Sequence, residues 1–491
     1  MLFRSPVLAV FLAYCLMQWR GRWLGMRWLA VGLGLLVLLG KLFPVPVLDD
    51  FASTMSPGWL SHPYLGQAYP NAQVIETILQ AAPYQKATLG VIPSIEAVNH
   101  NTMNYYGALR DFQVAGRELG TKPESLTQDG RSLDWFLVQP QCQGSKLKCN
   151  GLAQDSQIAF GERLADNPEF RSQQTWKLPT DRPLQLYRRR LPTIEVKTLT
   201  NAPEKVQLNR VTVPQRVPPG LPVPVSYEWS GSWEQLASGL VLLTWKSVQN
   251  PEAFWINDHG IGRGELQAQT PQNGAFQVIE RTAMLPTADL PAGDYYLTAT
   301  YLNRNTGATY NIPVPPVTLN IDPSATAVPA PELDRVTQLR QLALDLPKGV
   351  IGLEPVFKQI NRLNQYDAEH DYLRQGEKTL AYRLANNPGA KELDWLYGLL
   401  LSQVLQEDPQ GAIATLKQIV KLAPENPYNH AYLAFVYLYN WQPKAAEIAL
   451  EPALKSHPEI REIQSLRGIS YLMQGNLFKG WQIISPIFRD R

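Results

Sequence analysis

Cysteine and histidine are scarce in this chain. Three cysteines in 491 residues exclude a disulfide-dense scaffold. The six histidines (His62, His100, His259, His370, His430 and His457) are scattered, without the paired spacing of a zinc site. An excess of one charge is lacking as well: 45 Lys and Arg face 43 Asp and Glu, a net charge of +2, so no global field draws the protein to nucleic acid. The HExxH helix, the phosphate loop with its Lys and Ser/Thr, and an ordered Ser/His/Asp set are all missing. Catalysis by those groups is therefore not expected, and no catalytic residue, metal or cofactor is assigned. Proline, by contrast, is plentiful at 40 residues, above the usual share of about 5%. It marks loops, edge strands and linkers in a chain long enough for about three domains.

Long apolar runs are confined to the amino-terminal part. Residues 5–19 form an uncharged run, and residues 28–48 a second one interrupted only by Lys41. The first reaches about 22 Å as a helix, short of the roughly 30 Å hydrocarbon core, so the second is the better span. One span or a two-helix hairpin both remain open. Arg20, Arg22 and Arg27 lie between the runs, and positive charge beside a span stays on the cytoplasmic side. Everything after Leu48 is therefore expected outside the cytoplasm, anchored to a bacterial-type membrane. In that oxidising space Cys142 and Cys149, which enclose six residues of a polar loop, are candidates for a disulfide.

Three modules follow the anchor at 1–50. Residues 51–195 alternate helical and extended patterns: a helix over 72–82, a strand over 87–92, a helix over 97–109, strands over 112–116 and 133–138, and a helix over 158–164. Extended pieces at 174–178 and 184–190 then close an antiparallel pair, which gives a small α/β domain. Over 196–322 the helical period vanishes. Seven short runs, at 206–213, 223–229, 239–246, 252–257, 276–285, 294–302 and 309–319, predict a β-sandwich of immunoglobulin-like type. Within it Leu290–Tyr296 looks like the start of a late strand, where a tyrosine hydroxyl ties back to the preceding corner. Residues 323–332 are a proline-rich linker.

From 333 to 491 the pattern is helical and repeats. Pro424 and Pro458 are 34 residues apart, as are Leu416 and Leu450, Ala434 and Gly468, Tyr437 and Tyr471, and the series Ala412, Ala446, Gly480. Small residues let paired helices approach, Leu and Tyr fill the seam, and proline ends the second helix. The pattern resembles the tetratricopeptide repeat, with units at 393–427, 428–461 and 462–491 and a degenerate one at 366–392. Leu400, Trp441 and Arg467 depart from it, Trp441 standing where Gly is usual.

Candidate chemistry centres on the segment after the first strand. Ligands collect beyond the carboxyl ends of strands in open α/β sheets. Asn99, His100, Asn101, Asn104 and Tyr105 are accordingly candidate ligand-binding residues, of types suited to sugar hydroxyls and ring faces. The competing reading is that the asparagines cap the helix and the tyrosines pack on the sheet. Asp49 and Asp50 are read as solvated charge beside the span, and Gly260–Gly264 as a hairpin or bulge that mimics a phosphate loop. Arg188, Arg189 and Arg190 are read as a solvated edge, with lipid headgroup contact as the alternative.

The stretches ATLGVIPS (87–94), NYYGAL (104–109), FQVAGRELG (112–120), SLDWFLV (132–138) and LQLYRRRLP (184–192) together resemble the C-terminal extracytoplasmic region of bacterial protein-mannosyltransferase-like membrane glycosyltransferases. The resemblance implies contact with a glycan or a polyprenyl-phosphate-sugar. It carries over no catalytic residue, because the many-helix catalytic bundle is absent from this chain. Three functions follow as expectations. The first is a non-catalytic accessory protein of envelope glycan or glycoprotein assembly. The second is a scaffold whose repeat groove grips a protein partner, and the third is a subunit of a split glycosyltransferase.

Overall fold

The computed structural model describes residues 14, 24–42, 67–92, 97–139, 155–179, 181–201, 203–267, 274–386 and 389–489. Asp49, Asp50, Cys142, Cys149 and all of the first apolar run except Tyr14 lie outside the described residues. Two compact units result, Met1–Ala68 and Tyr69–Arg491.

In the first unit, helix α1 (Leu24–Leu42) takes up the second apolar run as far as Leu42. Met26, Trp28, Leu29, Leu35 and Leu36 are exposed on it. Among the described residues no helix is long and apolar enough to cross a membrane.

The second unit begins with α2 (Asn71–Ala81), β1 (Ala87–Ile92), α3 (His100–Ala108), β2 (Val114–Glu118), α4 (Pro123–Ser132), β3 (Trp135–Val138), α5 (Asp155–Asp166), β4 (Phe170–Lys177) and β5 (Pro183–Arg189). The sheet order is β2-β1-β3-β5-β4, with β1 parallel to β2 and β3 and the last pair antiparallel. Parallel strands are covered on both faces and therefore read as continuous apolar runs, as β1 and β3 do. Helix α4 escapes a periodicity search because PESLTQDGRS buries only Leu126, Asp129 and Ser132; its one sequence signal is Pro123 at the first turn.

Two largely antiparallel sheets follow, the second with one parallel pair between 216–217 and 320–321. One has the order β6-β13-β9-β7, from β6 (Ile194–Leu199), β7 (Gln207–Thr212), β9 (Val223–Ser232) and β13 (Ala275–Met284). The other is built on β10 (Gly239–Ser247) and β14 (Gly293–Asn303), paired from Gly239 with Asn303 to Ser247 with Tyr295, and also holds the short strands β8 (Arg216–Val217), β11 (Phe254–Ile256) and β12 (His259–Gly260). The two share a core that includes Tyr227, Trp229, Trp245, Trp255 and Tyr295. The run expected over 309–319 is two strands, Thr309–Ile312 and Thr318–Ile321, because Pro313, Pro315 and Pro316 cannot donate to a ladder.

The helical part comprises α7 (Arg335–Ala343), α8 (Val350–Tyr366), α9 (Asp371–Asn386), α10 (Glu392–Leu405), α11 (Pro409–Leu422), α12 (Pro427–Tyr439), α13 (Pro443–Ser456), α14 (Arg461–Met473) and α15 (Leu477–Arg489), counting α6 as Trp233–Ser238. It does not hang from a free linker. Leu119, Leu126 and Phe136 of the α/β part share one core with Leu339, Val356, Ile360 and Leu363.

Polar clamps reinforce that core. Asp129 accepts from Arg362 and, at 2.7 Å, from the Tyr366 hydroxyl, while Lys86 pairs with Glu369 at 2.5 Å. On the β side Arg304 meets Asp371 at 2.7 Å, Arg335 meets Glu265 at 2.7 Å, and Asn257 donates to Asp334 at 2.8 Å. Asp258, fully buried, is held by Arg383.

Candidate interaction surface

Of the residues singled out after β1, the structure ties two into the fold. Asn99 caps α3, its side chain accepting from Thr102 N at 2.9 Å while Thr102 Oγ1 accepts from Asn99 N at 2.9 Å. Asn104 grips Gly116 of β2, donating to its carbonyl at 3.0 Å and accepting from its N–H at 2.8 Å. A Cβ on Gly116 would stand 2.6 Å from Met103, so glycine sets how closely α3 lies on the strand. His100 is half-buried, Asn101 is exposed, and Tyr105 is exposed with its ring edge-on to Tyr106 at 5.3 Å.

The glycine loop does cradle an anion, but an internal one. Gly262 N and Arg263 N donate to Glu280 Oε2 at 2.7 and 3.3 Å, and Trp229 Nε1 donates to Glu280 Oε1 at 2.6 Å. His259 completes the cluster with Nδ1 2.8 Å from the Asn257 carbonyl and Nε2 2.9 Å from Glu280 Oε1. Both neighbours are acceptors, so both ring nitrogens carry hydrogen and the imidazole is cationic. Burial alone would push its pKa down, but the Glu280 charge and hydrogen bond, helped by Asp334, raise it to about 9.

The arginine run needs correction. Only Arg190 is the solvated residue expected of all three. Arg188 lies over the Trp135 ring at 4.9 Å. Arg189 is sequestered between Asp134 at 3.0 Å and Glu169 at 2.8 Å because an acid and open carbonyls face it from the neighbouring loop. Among the described residues no group of three or more His, Cys, Asp and Glu is arranged to hold a metal ion.

The helical array offers a surface instead. In α12 the face formed by Ala431, Ala434 and Leu438 packs against Ala446, Leu450 and Ala453 of α13 and Ile463 of α14. The α12 amino end is anchored separately: Tyr432 donates to the Leu346 carbonyl at 2.8 Å, and Asn426 Nδ2 to the Pro347 carbonyl at 3.0 Å. Burial pushes the Tyr432 phenol well above its ordinary pKa.

Those contacts leave Phe435 and Tyr439 outside the seam. One helical turn apart on a common face, they are 55% and 58% exposed. Ile469, the residue 34 positions after Phe435, is also exposed, on the neighbouring helix α14. Leu401, 34 positions before, is buried, so the apolar strip starts at α12. Sequence reasoning missed these residues. Their signal was available: once Leu433, Ala434 and Tyr437 are assigned to the seam, Phe435 and Tyr439 are apolar residues with no seam left to fill.

Residues 403–468 match the family model of the tetratricopeptide repeat. Among solved structures, the crystal structure of MamA protein is similar at 14% identity, covering 30% of this chain and 93% of that one, with a TM-score of 0.17. At that score the likeness carries no argument. No curated protein matches the chain. The resemblance to membrane glycosyltransferases is not shown by any of these findings.

Proposed function

We propose that this protein is an interaction scaffold, in which a rigid α/β and β-sheet platform presents the helical repeats to a protein partner. The observation that carries the reading is the strip Phe435, Tyr439 and Ile469, apolar and exposed beside a seam that closes without it. Extended apolar surface on a repeat array is how such arrays bind protein segments. A photo-crosslinking residue placed at Tyr439 is expected to trap the partner, and the same residue at exposed Lys455 is not. Phe435→Ser with Tyr439→Ser should abolish the adduct without lowering Tm. Equal labelling at both positions, or none at either, would sink the reading.

The proposal includes attachment to a membrane with residues after Leu48 on the far side. Its support is the apolar sequence of 28–48, the arginines Arg20, Arg22 and Arg27, and the exposed Trp28, Leu29 and Leu35 of α1. Extraction by alkaline carbonate, or a carboxyl-terminal tag that stays resistant to external protease in spheroplasts, would refute this part. A role in glycan assembly, or in a split glycosyltransferase, has only the diffuse resemblance of 87–192 behind it. The exposed Asn101 and Tyr105 are where alanine replacements would test sugar binding.

A further inference from the structure

A cavity of about 550 Å³ opens where the end of β5, the carboxyl end of α4, strand β13 and the linker at 329–331 converge. Its charged wall is made by Arg131, Arg189, Arg190 and Arg281 against one lining carboxylate, Glu169. Three of these arginines are already engaged. Arg189 is held by Asp134 and Glu169, Arg281 by Glu195 at 3.0 Å and the Pro192 carbonyl at 2.9 Å, and Arg131 by the Pro331 carbonyl at 3.2 Å, with Glu332 at 3.5 Å. Arg190 differs. It is exposed and spends only Nε, on the Phe170 carbonyl at 3.1 Å, and among the described residues no carboxylate pairs with it.

The guanidinium fork of Arg190 is thus fixed at its root, and among the described residues neither terminal nitrogen has a hydrogen-bond partner. That arrangement suits two oxygens of a carboxylate or phosphate in a bidentate contact. Apart from Thr193, whose hydroxyl is spent on Asp134 at 2.8 Å, the remaining wall is apolar, formed by Pro168, Leu191 and residues 329–331, and Leu191 is 69% exposed beside the arginine. A volume in the range of small-molecule sites, a cationic fork on one side and an uncovered leucine with prolines on the other together specify a ligand of two parts.

We infer that this cavity binds an organic anion carrying a carboxylate or phosphate on an apolar body, with Arg190 gripping the anion and Leu191 covering the body. Such an anion comes either free in solution or as a lipid headgroup, and the two sources share this chemistry. Neither depends on the repeat surface, so the site stands or falls apart from the scaffold reading.

Titration calorimetry of the full chain in neutral detergent, with benzyl phosphate, inorganic phosphate and benzyl alcohol as probes, tests the free source. Flotation of the full chain, reconstituted into phosphatidylcholine vesicles, onto added vesicles with and without phosphatidic acid tests the lipid source. Benzyl phosphate is expected to bind at least tenfold more tightly than inorganic phosphate or benzyl alcohol. Arg190→Gln should weaken it at least tenfold, and Leu191→Ser should remove the preference over inorganic phosphate, both with unchanged Tm. Capture only by phosphatidic acid vesicles, lost in Arg190→Gln, would assign the site to a lipid headgroup. No binding in either assay, or binding indifferent to Arg190→Gln, would overturn the inference.

Discussion

Trp441 and Gly475 occupy the same left-handed turn in successive repeats, 34 residues apart, with φ of 57° and 81°. Glu407, another 34 positions earlier, has φ 57°. The turn from the first to the second helix of each unit demands this conformation whatever residue fills it. Glycine adopts it without penalty, whereas a side chain costs about 1 kcal/mol or more. Trp441 is 83% exposed and returns little of that in packing.

Trp441→Gly is therefore expected to leave stability unchanged or raise it by up to about 1 kcal/mol, read as the urea midpoint. A loss of more than 1 kcal/mol would mean that the indole packs in solution. If crosslinking at Tyr439 falls in the same variant, the tryptophan belongs to the binding strip.

The tyrosine at the start of β14 shows what local sequence can convey. Leu290–Tyr296 predicted a hydroxyl tied back to its corner, and Tyr295, fully buried, donates to the Pro291 carbonyl at 2.9 Å. Tyr295→Phe should lower stability by about 1 to 2 kcal/mol, since it strands a carbonyl at the corner. A thermal melt unchanged by the substitution would show that water serves that carbonyl equally well.

The repeats, most strand positions and most of the α/β elements were legible for one reason: each is encoded by periodicity or turn residues within a few tens of positions, whereas α4 and β6 lack that signal and were not foreseen. Phe435 and Tyr439 were hidden because a periodic search rewards residues that fit the seam and passes over those that do not. The union of the modules was hidden for another reason. Asp129 with Arg362, or Asp258 with Arg383, are pairs separated by more than a hundred residues, and nothing local marks either partner. Glu280 likewise reads as one more polar residue of a strand, although it organises the glycine loop from the opposite side.

The Asp258 clamp makes a sharp test of that union. Its carboxylate is buried, receives Arg383 Nη2 at 2.6 Å and accepts from Leu243 N at 3.0 Å. Asp258→Asn leaves the guanidinium without its counter-charge, and removing one partner of a buried pair costs about 3 to 5 kcal/mol. Urea unfolding followed by tryptophan fluorescence should show that loss, with the β part and the helical part separating into two transitions. A loss below 1 kcal/mol would mean that the shared apolar core alone holds them.

The pair of His259 and Glu280 predicts how stability responds to alkali. The folded pKa of His259, about 9, lies above the ordinary 6.5. Its contribution is then fully present below pH 6.5 and is lost as pH rises through 9. A shift of this size corresponds to about 3 kcal/mol across that window. Urea midpoints are expected to fall steeply between pH 7 and 9.5 in the native protein. In His259→Gln, which keeps a donor toward Glu280 and cannot titrate, the fall should be shallower although stability at pH 6 is lower. Parallel pH profiles for the two proteins would show that the imidazole is neutral in the folded state, and the hydrogen-bond assignment at Nε2 would then have to be reversed.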